Sequence, residues 1–169
     1  MKTCIIMLFV VLLASCSTTS GQAPEVSSSG FDDSKVVTIS PHGNASSTII
    51  GTGLGAQWTS ATPEKALLIV AIFNDIQAIS DAELMVDGSK ITLTPSKGVT
   101  DFESSSYGIK KSTRAFSTNL DTIKRITEAK KAWIRVHTPT GYMEDPIIDG
   151  PTDSKAFHAL KRFIKSVEE

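Results

Sequence analysis

The chain has 169 residues, 40% hydrophobic and 21% charged, with a formal net charge of −1 and a mean hydropathy of +0.01. Those values exclude a fully disordered chain and a polytopic membrane protein, and the near-neutral balance argues against a nucleic-acid binder, whose affinity comes largely from neutralised phosphates. The length suits one domain with a core of its own.

The N-terminus reads as an address. Lys2 supplies positive charge, and residues 5–13 form an apolar run too short to cross about 30 Å of hydrocarbon as a stable helix. The run leads into Leu13-Ala14-Ser15-Cys16. On these four residues the chain resembles bacterial lipoproteins, whose lipobox has the order Leu, small, small, Cys. The resemblance implies that residues 1–15 are removed and that Cys16 becomes the first residue, carrying a diacylglyceryl group and often an acylated amine such as a palmitoyl amide. Each buried methylene contributes about 0.8 kcal/mol, so two or more chains make a stable anchor where one is marginal. Ser17 follows Cys16 in place of Asp. In Gram-negative lipoproteins this favours the outer membrane, so the expected location is the cell envelope, on the outer membrane facing the periplasm. Cys4 leaves with the signal and Cys16 carries lipid, so no thiol remains for a disulfide and the domain depends on its hydrophobic core.

Residues 16–34 read as the lipidated Cys followed by a tether rich in Ser, Thr and Gly, with no apolar period. Treated as a random coil, residues 17–34 span about 20 to 25 Å. Residues 35–169 then form a single globular domain.

The domain opens with strands. Residues 36–40 are short and β-branched, closed by Pro41, and residues 54–59 follow a Gly-rich stretch. Residues 66–73 are unbroken apolar. Thr62-Pro63-Glu64 before them suits a helix start, but the run lacks a polar stripe and contains Ile69, Val70 and Ile72, which favours a central strand buried on both faces. In residues 82–94, Asp87-Gly88 suits a type I′ turn. The register it sets pairs Leu84 with Ile91 and Ala82 with Leu93 on one face, and Glu83 with Thr92 and Met85 with Lys90 on the other.

The last third brings helices. A strand over residues 110–117 gives way at Thr118, which with Asp121 forms a capping pair, to a helix with Leu120, Ile123, Ile126 and Ala129 on its inner face. Residues 133–138 and 142–148 form a hairpin around Pro139-Thr140-Gly141. Asp153 or Ser154 caps a final amphipathic helix whose inner positions are Ala156, Phe157, Leu160, Phe163, Ile164 and Val167. The fold class is α+β: an antiparallel sheet or sandwich with two helices of the C-terminal half packed on it. The order of elements resembles small exported bacterial modules of the invasion-associated locus B type. No specific motif is shared, so the resemblance carries fold class alone.

Motifs for chemistry are sparse. His42, His137 and His158 are scattered, and neither H-E-x-x-H, G-x-S-x-G nor S-x-x-K occurs. No metal, no cofactor and no catalytic residue is expected. Gly51, Gly53 and Gly55 lead into a strand rather than a phosphate-binding helix, so they read as a closely packed or bulged strand. Asp101 and Glu103 read as a solvated loop, and adjacent Glu144 and Asp145, if in a strand, point to opposite faces.

Two groups form the candidate interaction surface. Trp133, Arg135 and His137 share one face of the strand over residues 133–138, with Arg135 opposite Glu144 or Asp145 depending on turn length and Tyr142 on the partner strand, and Trp, Arg and Tyr are typical binding anchors. Lys161, Arg162 and Lys165 lie on the polar side of the last helix, within a basic segment: residues 110–169 carry 12 basic and 8 acidic side chains, against 4 and 10 over residues 16–109. The leading functional expectation is a non-catalytic interaction module held at the membrane, binding another envelope protein or a cell-wall component. The alternatives are a small-ligand or lipid-binding lipoprotein with a pocket between sheet and helices, and, least favoured, an envelope hydrolase.

Overall fold

The structure, a computed structural model, describes residues 21–105 and 108–169; the signal segment, Cys16 and the start of the tether lie outside the described residues. Twelve strands and two helices are present among them: β1 (Glu25–Ser28), β2 (Lys35–Gly43), β3 (Gly51–Thr59), β4 (Lys65–Phe73), β5 (Asp81–Val86), β6 (Ser89–Thr92), β7 (Thr94–Pro95), β8 (Asp101–Ser104), β9 (Lys110–Asn119), α1 (Leu120–Glu128), β10 (Lys131–Thr138), β11 (Gly141–Asp149), β12 (Thr152–Asp153) and α2 (Lys155–Glu168). The large sheet runs β1-β2-β3-β4-β9-β7, with β8 also on the free edge of β9, and the small sheet runs β12-β11-β10-β5-β6. Every pairing is antiparallel. The chain is therefore an α+β domain, an antiparallel sandwich with two helices in its C-terminal half.

The core lies between the inner faces of the two sheets and the helices. Ala66, Leu68, Val70 and Ile72 of β4, Leu54 and Ala56 of β3, Phe116 of β9, and Leu84, Ile134 and Ile147 of the small sheet all meet there, at most 6% exposed. Helix α2 packs across β2 and β3, and α1 packs against α2, β4 and β9. Their Ile123, Ile126, Leu160 and Phe163 are fully buried, so the space between sheet and helices, where a ligand pocket is conceivable from sequence, is filled by side chains.

The hairpin of β5 and β6 has the register its turn sets: Glu83 faces Thr92, Leu84 faces Ile91 and Met85 faces Lys90. Asp87 and Gly88 adopt φ of 44° and 82°, the positive values a type I′ turn requires. Strand β4 is central, between β3 and β9, but only its inner face is wholly buried; Leu67, Ile69 and Phe73 on the outer face are half-buried.

Several expectations need correction. Residues 25–28, expected to belong to a flexible tether, are a strand: Glu25–Ser28 pair along β2 from Glu25 opposite Thr38 to Ser28 opposite Lys35. Backbone hydrogen bonds to a waiting edge order this polar segment without an apolar face. Pro41 does not end β2; it sits in a register shift between Ile39 and His42, where the missing N–H costs the ladder nothing. Thr118 is not the cap of α1, since the ladder of β4 and β9 continues to Lys65 opposite Asn119. Asn119 is the N-cap with no side-chain cap bond, and the Leu120 amide donates to the Glu64 carbonyl at 3.0 Å. Asp101 and Glu103 lie on β8 rather than in a loop, with Glu103 2.9 Å from Lys111.

Gly51, Gly53 and Gly55 all lie in β3, on the outer face of the large sheet. A Cβ on Gly55 would stand 2.5 Å from the Ile39 carbonyl oxygen and 2.7 Å from the Pro41 nitrogen, so the bulge of β2 folds directly over this residue. One on Gly53 would meet the Phe73 ring at 2.4 Å. The glycines thus serve close packing of backbone and ring against the strand.

Candidate functional site

Strands β10 and β11 are joined at Thr138 opposite Gly141, and this register sends alternate side chains of the small sheet to the core and to solvent. Inward go Ala132, Ile134, Val136, Asp145 and Ile147, all buried. Outward go Trp133, Arg135 and His137 of β10, with Tyr142 and Glu144 of β11 on one side and Asp81, Glu83 and Met85 of β5 on the other. Rows therefore form across the strands: Lys90, Met85, Trp133 and Pro146 in one, Thr92, Glu83, Arg135 and Glu144 in the next, Asp81, His137 and Tyr142 in the third. A groove of about 430 Å³ follows the first two rows, lined among others by Glu83, Met85, Lys90, Trp133, Arg135 and Glu144.

The charges of this face are held in a network. Arg135 pairs with Glu144, its cross-strand partner, and its guanidinium lies 4.9 Å from the centre of the Tyr142 ring. Glu83 lies 2.8 Å from the Lys90 ammonium and 3.7 Å from both Arg135 and His137. The Lys90 hydrogen bond, ahead of the charges of His137 and Arg135, holds the Glu83 carboxyl below its ordinary value, and the Glu144 bond raises Arg135 above its own. Trp133 donates from Nε1 to Asp149 at 2.9 Å, and Lys131 stands 5.8 Å over the Trp133 ring. Lys131 and then Trp133 lower the Asp149 carboxyl.

Such a network holds its charges in pairs. Glu83 is ionised at neutral pH and Arg135 stays charged, so neither serves there as a proton donor. The apolar contacts remain open: Met85 is 41% exposed and Tyr142 61%. Met85 and Trp133 on one side and Tyr142 on the other flank the row of matched charges, and aromatic, Met and Arg side chains are the types enriched at protein interfaces. Among the described residues no group of three His, Cys, Asp or Glu side chains converges on one point.

The two halves of the sequence-derived surface fare differently. Trp133, Arg135, His137 and Tyr142 come together as one face, with Met85, Glu83 and Lys90 joining them from a hairpin that the sequence does not link to it. Lys161, Arg162 and Lys165 sit on α2, and no ion pair, hydrogen bond or ring contact joins them to that face. Lys161 lies 5.2 Å over the Phe157 ring, Lys165 lies 3.8 Å from Glu169, and Arg162 is half-buried.

Asp145 escaped the reading from sequence. It is 5% exposed and accepts from both the amide and the hydroxyl of Thr52, each at 2.7 Å, tying β11 to β3. Asn44 Nδ2 donates in turn to the Thr52 hydroxyl at 2.9 Å, and the Ala45 amide donates to the Pro146 carbonyl at 3.0 Å. Alternation along the strand pointed Asp145 away from Glu144, but its partner lies 93 positions earlier.

A second, larger cleft of about 770 Å³ opens at the outer side of the large sheet, beside Val36, Gln57, Leu67 and Ser117. Its lining is mainly apolar and hydroxyl groups. The Trp58 indole beside it is already bonded to the Pro63 carbonyl at 2.9 Å, and Asp32 is held by Ser34. The small-sheet face is therefore the better candidate. Comparison of the chain with protein-family models, with curated proteins and with solved structures found no match.

Proposed function

We propose that the chain is a lipid-anchored protein of the bacterial cell envelope, at the outer membrane, and that it acts as a non-catalytic module binding another envelope protein or a cell-wall component. The observation that carries the reading is the Leu13-Ala14-Ser15-Cys16 sequence at the end of a short apolar run behind Lys2. The binding role is supported by the outer face of the small sheet, where Trp133, Arg135, Tyr142 and Met85 present apolar and cationic anchors among paired charges. Anchoring confines a protein and its partner to two dimensions and raises their effective concentration, so a face of modest area suffices.

Two measurements test the parts separately. Metabolic labelling with radioactive palmitate labels the native chain and not Cys16→Ser; an unlabelled native chain that washes off membranes overturns the anchor. Photocrosslinking from position 85 or 142 in native membranes captures one defined neighbour, and the capture is lost in Trp133→Ala combined with Arg135→Glu. Capture that persists unchanged in that variant overturns the binding face.

A further inference from the structure

The chain passes along α2 beside Arg162 where it enters the domain. The Arg162 guanidinium lies against the backbone of Gly21 and donates from Nη2 to the Gln22 carbonyl at 3.4 Å. A Cβ on Gly21 would stand 2.2 Å from Nη2 and 2.8 Å from the guanidinium carbon, so any side chain there displaces the arginine. Arg162 is thus a clip on the entering chain. From Gly21 back to Cys16 there are five steps, a maximal reach of about 18 Å.

The surface beside the clip is basic. Lys161 and Lys165 are exposed on either side of Arg162, and Lys155 is exposed at the start of the helix. Of the carboxylates at its end, Glu168 lies 2.8 Å from Lys124, and Glu169 lies 3.8 Å from Lys165 as an exposed pair that offsets part of that charge, so the excess rests on Lys155, Lys161 and Arg162 with Lys165 beside them. The Lys35 ammonium donates to the Ser166 carbonyl at 2.6 Å, adding positive charge from β2 at the same end. On the reading that Cys16 carries lipid, a connection this short lets the helix approach the headgroups to within the roughly 8 Å over which charge attraction survives screening.

We propose that the exposed basic side of α2, Lys161 and Lys165 beside the Arg162–Gly21 clip, docks on anionic phospholipid headgroups of the membrane that holds the anchor. The lipid then supplies attachment and the helix supplies orientation. The inference rests on the anchor reading but fails independently of it. Basic residues near an anionic surface each contribute attraction, and removing two of them reduces the docked-to-undocked ratio on the order of 30-fold.

The test uses the full lipidated chain, purified from membranes and reconstituted into phosphatidylcholine vesicles with or without phosphatidylglycerol. A fluorophore is placed at His158→Cys, exposed on α2 one turn before Lys161 and Arg162, or at Gln57→Cys on the outer face of the large sheet, opposite the face that α2 covers. Its exposure to an aqueous quencher is then measured, and circular dichroism checks that each variant folds. Docking shields position 158 only in the anionic vesicles, leaves position 57 open in both, and is lost when Lys161→Gln and Lys165→Gln accompany His158→Cys or when Arg162→Ala releases the clip. Equal quenching of position 158 in the two vesicle types, or shielding of position 57 instead, overturns the docking while leaving the anchor intact. Absence of lipid on Cys16 overturns both.

Discussion

Removal of the buried carboxylate tests the link between the two sheets. Asp145 accepts two hydrogen bonds from Thr52, so Asp145→Ala strands the amide and hydroxyl of a residue that is 1% exposed. Hydrogen bonds to a charged group contribute about 1.5 to 3 kcal/mol each, giving roughly 3 to 6 kcal/mol for the pair. Relief of the carboxylate's own desolvation offsets part of that sum. A net loss of about 3 kcal/mol is expected, which for a domain of this size lowers Tm by roughly 6 to 12 °C. Asp145→Asn keeps one acceptor and loses less, about 1 to 2 kcal/mol. The neighbouring Glu144→Gln is the control: Glu144 is exposed, and its pairing with Arg135 is a solvent-screened surface ion pair of little net weight. Urea unfolding followed by tryptophan fluorescence reads all three. A loss for Asp145→Ala no larger than that for Glu144→Gln would refute the reasoning, since it would mean that the carboxylate's desolvation cost cancels its bonds to Thr52.

Other consequences follow from the packing and the charges. Gly55→Ala forces a methyl group into the Ile39 carbonyl and the Pro41 backbone, both within 2.7 Å, and loses about 2 to 3 kcal/mol; Gly43→Ala, with nothing within 4 Å, is nearly neutral by the same urea assay. Equal effects at the two glycines would show that the bulge of β2 yields freely. Because the folded Glu83 carboxyl titrates below its ordinary value of 4.5, its ionised form stabilises the fold above that pH, and the stabilisation is lost as pH falls through the folded value. Urea midpoints of the native chain and Glu83→Gln therefore converge on acidification; a gap that stays constant from neutral to acid pH would exclude this contribution.

Much of the fold was legible because the signals were local. Asp87-Gly88 demands a turn with positive φ, and the alternation on both sides then permits only one register. The i, i+3, i+4 spacing from Ala156 to Val167 selects a helix with one buried stripe, and Ser154 accepts from the Phe157 amide at 3.0 Å as its cap. Trp133, Arg135 and His137 share a face for the same reason, since a period of two along one strand places them together, and Tyr142 joins them because the turn sets Arg135 opposite Glu144.

What escaped the sequence depends on partners distant along the chain. Glu25–Ser28 has no apolar pattern and is a strand only because β2 offers an unpaired edge. Met85, Glu83 and Lys90 join the candidate face because β5 happens to pair with β10, and Asp145 has its role because Thr52 lies across the sandwich. Arg162, which reads as one of several cations on a helix, proves to hold Gly21 and Gln22, 140 positions from the latter. The amino-acid order therefore determined the turns and the periodic faces, each set by forces acting over a few residues. Which faces meet, which edge recruits a polar segment and which charge is buried were decided only on closure of the sheets, when segments far apart in the chain came to share one desolvated interior.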